Sequence, residues 1–345
     1  MSQDRFVPQR PHPQRGVTLI ELLVAMAVGL VVTIVALSML VLGRTGYSAV
    51  DSTTQLIDKE RFAVDAISRV VQQAGYQDYA APIMLTRGVS VKSGVDPDPE
   101  PDVFAWNNAI YATPDNLLIS VTTKIADENR PGLCSVSDTS CRNGSDVLMI
   151  RFQGVSTITS SSTADTSMIN CRGNGETGFV TGVLSERAAN FFYVQRNAAT
   201  GEPSLHCASY NHATGVYSND PLIEGVESMQ LLFGTDNVVP LTAPTVGGLD
   251  SIADRWLRAD QLKVAANPVA TKENWRRVRA IRIGLVLRGP VGSAQERIAA
   301  SFAPLGSPTF VAAADTGSQL NVAADGRLRR VLTFTVHIRN DLTLR

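Results

Sequence analysis

Few side chains in this sequence of 345 residues could carry out chemistry. His206 stands beside Cys207, and these two residue types can act together as base and nucleophile. A cysteine held in a disulfide is no nucleophile, however, and the Gly-x-Ser-x-Gly pattern of serine hydrolases does not occur. The other histidines, His12, His212 and His337, form no paired site. We therefore predict no catalytic residue and no enzyme activity.

Residues 173–178 match the Gly-x-Gly-x-x-Gly pattern of dinucleotide-binding loops. Such a loop must join a strand to a helix, so that the phosphates meet the helix N-terminus. Here the pattern follows Cys171 closely, and the next residues, 179–184, have the composition of extended chain. We therefore predict a turn inside a disulfide loop, with no nucleotide or other cofactor.

An acidic tract alternates with proline at residues 96–102, where the acids are Asp96, Asp98, Glu100 and Asp102. Carboxylates can hold Ca²⁺, but the spacing and the glycine of an EF-hand are missing. Proline also favours an extended chain that separates the carboxylates. We predict a solvated loop and no metal site, although the sequence leaves calcium binding open.

These segments depend on the elements around them, and the first element is an uncharged run of 21 residues, Leu22–Leu42. As a helix it spans roughly 30 Å, the thickness of one hydrocarbon core. Residues 1–16 carry a net charge of +2, which leaves −3 on residues 17–345. The positive-inside rule then predicts a single-pass inner-membrane protein with a cytoplasmic N-terminus and an exported C-terminal part. A cleaved secretory signal peptide is the alternative, but its apolar core would be shorter and would end at small residues.

The charge distribution also bears on partners. The sequence has no basic patch or arginine-rich stripe, so it predicts no binding to nucleic acid.

All the cysteines follow the apolar run: Cys134, Cys141, Cys171 and Cys207. An even number beyond a membrane anchor indicates disulfides in an oxidising compartment, the periplasm. Three pairings are possible, and local spacing favours Cys134–Cys141 and Cys171–Cys207, worth about 2.5 and 4 kcal/mol on the loop-entropy model. Reduced buried thiols are the alternative, and zinc is disfavoured because no Cys-x-x-Cys or His-x-x-x-His spacing occurs.

Glu21 lies at the cytoplasmic edge of the apolar run, within the pattern RGVTLIELLVAM. An unpaired carboxylate at the bilayer centre costs roughly 3 kcal/mol, so Glu21 needs a partner unless it only reaches back to the interface. The segment Gly16–Glu21 with its apolar helix resembles the class III signal of type IV prepilins and pseudopilins. That resemblance implies cleavage by a prepilin peptidase after Gly16, N-methylation of Val17, and pairing of Glu21 with the N-terminal amine of a neighbouring subunit. The family usually has Phe where this chain has Val17.

The helix is expected to continue from Val17 to Ala74 and to stop at Gly75, a residue type common just beyond helix ends. An apolar stripe recurs along one face, and we expect that face to lie on a β-sheet. Its residues are Val50, Ile57, Val64, Ile67, Val71 and Ala74.

Beyond Tyr79 the pattern changes to strands with alternating apolar residues. The predicted strands are Leu117–Thr123, Asp146–Phe152, Asn190–Gln195, Leu205–Tyr210, Ser228–Phe233, Ala280–Arg288 and Arg330–Ile338. The apolar faces of the last two comprise Ile281, Ile283, Leu285 and Leu287, and Leu332, Phe334, Val336 and Ile338. We expect antiparallel sheet with one wet face, and loops at residues 92–102, 156–167 and 238–250.

Four stretches resemble PilW-type minor pilins: RFAVDAISRVVQQAGYQDY (61–79), GVESMQLLFGTD (225–236), WRRVRAIRIGLVLRG (275–289) and RRVLTFTVHIRN (329–340). The resemblance implies an α+β, type IV pilin-like fold with a long N-terminal helix packed on an antiparallel β-rich head. The expected organisation is a leader at 1–16, a transmembrane helix half at 17–43, an amphipathic half at 44–75 and a periplasmic head at 76–345.

The function implied by the resemblance is assembly. The chain would join other minor pilins and the major pilin, prime or enter the type IV pilus, and support twitching motility and adhesion. Two alternatives stay open: a J-type minor pseudopilin of type II secretion, and an adhesin or receptor head carried on a pilus.

Overall fold

The structure is a computed structural model that describes residues 16–76, 101–109, 111, 143–157, 160–178, 187–211, 216–294, 296–313, 315–340 and 342. The chain forms two compact units, Met1–Asp51 and Ser52–Arg345. Several predictions fall outside the described residues: the strand Leu117–Thr123, most of the acidic tract, Cys134, Cys141, His12 and His212.

The first unit contains the start of helix α1 (Leu19–Gln72). Among the described residues, α1 is the one helix long and apolar enough to cross a membrane, over the 26 residues Leu19–Arg44. The two hydroxyl side chains within Leu19–Arg44 donate back to carbonyls one turn earlier, Thr33 to Gly29 at 2.7 Å and Ser38 to Ile34 at 2.8 Å. These polar groups are therefore satisfied within the helix, as an apolar surrounding requires.

The rest of α1 belongs to the core of the second unit. The predicted stripe is confirmed at Ile67, Val71 and Ala74 and is wrong nearer the membrane run, where the buried face is shifted by one residue. Val50 is 67% exposed, and Ile57 and Val64 are only half-buried. The buried apolar residues are Leu56, Ala63, Ile67, Val70, Val71 and Ala74. A seven-residue spacing does not choose between adjacent heptad positions when both are apolar, and the small Ala63 lets the helix approach its neighbours closely.

Helix α1 ends two residues before the predicted boundary, and the chain then turns at Gly75 with a φ of +71°. A side chain at Gly75 would clash, because its Cβ would lie 2.3 Å from Leu342 Cδ2. The Gly75 N–H donates to the Arg151 carbonyl at 3.0 Å, and Asn340 Nδ2 donates to the Ala74 carbonyl at 2.9 Å. The helix end is thus tied to a strand of the sheet and to the C-terminal segment.

The described part of the second unit contains thirteen strands. They are β1 (Val103–Trp106), β2 (Val147–Phe152), β3 (Ser156–Thr157), β4 (Ser160–Ala164), β5 (Ala188–Arg196), β6 (Pro203–Asn211), β7 (Val216–Glu224), β8 (Val226–Thr235), β9 (Arg255–Leu257), β10 (Val278–Arg288), β11 (Ala300–Phe302), β12 (Leu320–Val322) and β13 (Arg329–His337). A short helix, α2 (Pro268–Arg276), precedes β10.

Every strand pair in these sheets is antiparallel. One sheet has five strands in the order β1-β2-β5-β6-β7, and a second has four in the order β13-β10-β8-β9. Two small pairs, β3-β4 and β11-β12, complete the described set. The molecule is therefore α+β, with an N-terminal apolar helix followed by an antiparallel, β-rich head.

The predicted strands within the described residues all form, with boundaries that differ by at most two residues. On β10 the four predicted inward residues are fully buried, but Ala280 and Val286 are buried too, so both faces are covered. The predicted loop at 156–167 is wrong in part, because it contains the β3-β4 hairpin.

The sequence analysis did not predict the short strands β1, β9, β11 and β12, nor β7 and α2. For β7 and α2 there is a local reason. Strand β7 contains Ser218–Pro221, a turn-like stretch that an edge strand tolerates because proline there need not donate to a neighbour. Helix α2 has a readable signal: the Asn267 side chain accepts the Ala270 N–H, and proline follows at the first helical position.

An aromatic cluster joins α2 to both sheets. The Trp275 ring lies 4.8 Å from Phe104 of β1 and 4.9 Å from Phe233 of β8, measured between centroids, and all three side chains are fully buried. Such pairs contribute packing energy beyond the burial of their area.

An ion-pair network links the residue before β6 to the four-stranded sheet. Arg288 contacts Glu202 at 2.8 Å and Glu227 at 2.7 Å. Arg329 contacts Glu227 at 2.6 Å and Asp325 at 2.6 Å. The hydrogen bonds from Arg329 hold the pKa of Asp325 at about 2, below the usual value of 3.8. Burial raises the pKa of Glu202, but its bonds to Arg288 and Arg327 outweigh burial and lower that pKa overall.

Removing the aromatic anchor should destabilise the head. We expect Trp275→Ala to lower the free energy of unfolding by about 3–5 kcal/mol, through lost burial and a cavity. Thermal or denaturant unfolding of the full-length chain in detergent measures this. Val269→Ala, on the same helix but 69% exposed, is the matched control. Equal effects of the two variants would contradict the central role of the aromatic cluster.

The network also predicts acid sensitivity. Because the pKa of Asp325 is depressed in the folded state, its stabilisation is present above about pH 4 and is lost as the pH falls toward 2. Asp325→Asn should cost about 1–2 kcal/mol at pH 6, allowing for solvent screening of a carboxylate one-third exposed, and roughly a third of that at pH 2.5, where the carboxyl of the unfolded chain is protonated. Denaturant midpoints across this range test it, with Asp58→Asn on the exposed face of α1 as the control. A gap that is undiminished at low pH would be the contrary result.

Candidate functional site

The start of α1 is organised by two side chains three residues apart. Gly16, Val17 and Thr18 precede the helix, which begins at Leu19, so Thr18 is the N-cap residue and Glu21 the third helical residue. The Glu21 N–H donates to Thr18 Oγ1 at 3.3 Å, and the Thr18 N–H donates to Glu21 Oε2 at 3.0 Å. The Thr18 hydroxyl also donates to Oε2 at 3.0 Å. This reciprocal arrangement is a capping box.

The capping box gives Glu21 some of the hydrogen bonds that a carboxylate at the edge of an apolar helix needs. The sequence analysis considered only a partner on another chain for Glu21. It did not identify Thr18, although the Thr-x-x-Glu pattern is typical of a capping box. Both side-chain bonds go to Oε2, and in the described part of the chain Oε1 accepts none. The Glu21 side chain is exposed. It can therefore cap its own helix and still receive a cation from outside.

The residues that follow present a continuous apolar surface. From Val17 to Leu42 the large aliphatic and methionine side chains are between 48% and 77% exposed. Burial of such a surface is strongly favourable, whether in lipid or against other apolar helices. The site thus combines a glycine before the helix, a capped acidic residue and an exposed apolar helix, which suits helix packing.

The Cys–His pair is structural. Cys171 and Cys207 are joined by a disulfide with a Cα–Cα distance of 6.0 Å, the pairing that local spacing favours. His206 is buried and stacks on Tyr193 with centroids 5.4 Å apart. Burial lowers the pKa of His206, so the ring is neutral at pH 7. A bonded sulfur beside a neutral, stacked imidazole offers no nucleophile.

The glycine-rich segment forms a closed turn within the disulfide loop. The Asn170 carboxamide oxygen accepts the N–H groups of Arg172 and Asn174, each at 3.0 Å, and Asn170 Nδ2 donates to Glu176 at 2.7 Å. No helix follows in the described residues up to 178. The N–H groups of Gly173, Asn174, Glu176 and Gly178 thus already donate to other groups of the protein.

The sequence analysis did not identify two buried acids, Asp146 and Asp315. Asp146 accepts the N–H of Asn108 at 2.9 Å and that of Leu231 at 2.8 Å, and it ties a loop to β8. Burial and the nearby Asp315 raise its pKa well above the usual value. Within the described residues no group of three or more His, Cys, Asp or Glu side chains could hold a metal ion. These acids therefore organise loops, and single-sequence pattern reading has no signal for them.

Comparisons with known proteins agree with this organisation. A family model described as the prokaryotic N-terminal methylation motif matches residues 11–37, which include Gly16, Val17 and Glu21. A second model, type IV pilus-assembly protein W (PilW), matches residues 191–340, from β5 to beyond β13. No match is found among curated proteins.

Among solved structures, a type IV-like pilin from Thermus thermophilus is similar to the chain at 15% identity. The alignment covers 57% of this chain and 80% of that one, with a TM-score of 0.32. A likeness of this size carries no argument about function.

The capping box predicts a local effect that is separable from charge. Glu21→Gln keeps an acceptor for the Thr18 N–H, whereas Glu21→Ala removes it. Since a cap is worth about 1 kcal/mol, amide exchange at residues 18–22 should accelerate about five-fold in Glu21→Ala and in Thr18→Val. Glu21→Gln and Thr18→Ser should stay close to wild type. Hydrogen exchange of the full-length chain in lipid nanodiscs measures this, and equal rates in Gln and Ala variants would refute the cap.

Proposed function

We propose that this chain, a PilW-type, type IV pilin-like protein, acts by assembly and without catalysis. A prepilin peptidase would remove residues 1–16, Val17 would become the methylated N-terminus, and the chain would join other minor pilins and the major pilin. In that complex it would prime the type IV pilus or enter it, and so support twitching motility and adhesion.

The observation that supports the proposal is the hydrogen bonding of the Glu21 carboxylate. It lies at the third position of an exposed apolar helix, capped by Thr18 on one oxygen while the other accepts no bond in the described residues. Once the chain is cut after Gly16, each subunit has a free amine at Val17. An amine and a carboxylate that are each costly in lipid become tolerable as a pair, which favours the docking of one subunit on the next.

The rest of the chain supports the same topology. The +2 charge of residues 1–16 favours a cytoplasmic N-terminus for the helix Leu19–Arg44. The Cys171–Cys207 disulfide suits an oxidising compartment for the head. We therefore place the chain in the inner membrane with a periplasmic head, and afterwards in the pilus.

Glu21 also bears on the position in the filament. A subunit at the extreme tip has no neighbour above it whose amine could receive the carboxylate. Retention of Glu21 in this chain therefore favours a place just below the tip.

Two substitutions separate capping from intermolecular pairing. Glu21→Gln retains the cap but has no charge, so we expect it to lower the amount of chain in sheared pili by ten-fold or more, as Glu21→Ala does. Thr18→Ser should be incorporated normally. Mass spectrometry of the incorporated chain should show residues 1–16 removed and one methyl group on Val17. A mature protein that retains residues 1–16, or normal incorporation of Glu21→Gln, would refute the proposal.

Deletion of the gene separates the pilus from a secretion pseudopilus. We expect surface pili and twitching to be lost or strongly reduced, while type II secretion in the same strain stays normal. Loss of secretion with intact pili would favour the J-type pseudopilin instead. Normal piliation with loss of surface attachment alone would favour an adhesin head.

A further inference from the structure

Strand β13 forms one edge of the four-stranded sheet. It pairs with β10 over nine residues without a register shift, and in the described part of the chain no strand pairs with its other side. Between Val331 and Val336 it has no charged residue, proline or glycine. Exposed edges are normally blunted by such residues or by bulges, because a straight apolar edge is a template for another strand.

The ladder shows which backbone groups face outward. Immediately beyond its two ends, the Ile338 N–H donates to the Arg279 carbonyl at 2.9 Å, and the Gly289 N–H donates to the Leu328 carbonyl at 2.8 Å. On the β13 side these bonds involve Ile338 and Leu328, both even-numbered. In an antiparallel ladder, hydrogen-bonded pairs of residues alternate with non-bonded pairs. The even residues of β13 thus bond to β10. The outward N–H and C=O groups belong to Val331, Thr333, Thr335 and His337.

The side chains of β13 indicate what kind of strand could pair with its outer edge. On the inner face Leu332 and Phe334 pack against the core but are only half-buried, and on the outer face Thr335 and His337 are exposed. A strand placed beside β13 would continue both faces, with apolar residues over the core and polar residues toward solvent. The occupant is therefore an extended segment of alternating apolar and polar residues.

The charges argue against a second copy of this chain. Residues 327–339 contain four arginines and no acid. Antiparallel pairing of two β13 strands centred on Thr333 would bring Arg339 of each chain opposite Arg327 of the other. Like charges directly opposite are destabilising. Within the described residues Arg327, Arg329 and Arg330 pair with acids of their own chain.

A groove of about 330 Å³ opens at the C-terminal end of β13, lined in part by Ile252, Arg279, His337 and Arg339. Arg279 is held by Asp236 at 3.2 Å, whereas Arg339 is exposed at the rim. An acidic group of a partner would be favoured beside Arg339. In an antiparallel addition, that group precedes the apolar stretch of the added segment.

We propose that the outer edge of β13 receives an extended segment of a neighbouring pilin-like subunit as a further antiparallel strand, with an acidic residue of that segment beside Arg339. This inference rests on the proposed function, since it places the head among other subunits of the same kind. It assigns the contact between heads to backbone hydrogen bonds, with specificity supplied by alternating side chains and one charge pair.

A proline substitution tests the edge with little disturbance of the sheet. Thr335→Pro removes an outward N–H and no bond to β10, whereas Thr335→Ala alters the same side chain and keeps the N–H. We expect Thr335→Pro and Arg339→Glu each to reduce co-purification of other pilin-like subunits with the tagged full-length chain, from membranes of cells making pili, by ten-fold or more. Thr335→Ala should match wild type. Unchanged recovery with both Thr335→Pro and Arg339→Glu, or a wild-type chain that purifies alone, would overturn the inference.

Hydrogen exchange on the wild-type chain gives a test that needs no variant. In the isolated chain, amides 332, 334 and 336 should be protected, and amides 331, 333, 335 and 337 should exchange freely. In the membrane complex the second set should slow by ten-fold or more. No change in the complex would overturn the inference, and so would protection that rises with concentration of the isolated chain, which indicates self-pairing.

The two proposals fail separately. Protection of the outward amides in membrane complexes, with no chain in sheared pili and normal piliation of the deletion strain, would refute the proposed function and leave the edge contact standing. Incorporation into pili with the outward amides still exchanging freely would do the reverse.

Discussion

A carboxylate at the edge of an apolar helix needs hydrogen-bond donors or a cation, and the organisation of this protein depends on that constraint. In the first unit Thr18 supplies two hydrogen bonds to Glu21 Oε2, one from its N–H and one from its hydroxyl. A carboxylate has about four lone-pair sites, so these bonds do not exhaust it. The same residue can start the helix and offer its charge to an incoming amine, and neither role excludes the other.

In the second unit, the end of α1 is anchored in a head made of antiparallel sheet. The buried residues of α1 enter the core, Gly75 closes against Leu342, and Glu60 pairs with Arg330 of β13 at 2.7 Å. The Arg–carboxylate network then connects the residue before β6 with β8, β10 and β13. Partly buried bidentate pairs of this kind contribute more than isolated surface pairs do. The helix end is therefore secured to the four-stranded sheet by packing and by charge.

Several patterns that resemble chemical sites are structural in this fold, and the reason is the same each time. The glycine-rich turn has its N–H groups satisfied by Asn170, His206 is stacked and neutral, and Asp146 uses both oxygens for backbone N–H groups. In each case the residues named here are hydrogen-bonded or stacked within the protein itself. The outer edge of β13, by contrast, has no strand beside it in the described residues, and that suits association with another chain.

The sequence by itself determined the elements whose signals are local. The uncharged run, the Gly16–Glu21 motif, the end of the helix near Gly75 and the alternating strands β10 and β13 all follow from spacing and periodicity, which neighbouring residues alone create. The tertiary structure decided which heptad position of α1 is buried, that the turn-like residues of β7 form an edge strand, and that β10 is covered on both faces. It also decided that Cys171 joins Cys207, and that β13 has a free edge among the described residues. These features depend on contacts between residues far apart in the chain, and a local pattern carries no information about what will pack against it.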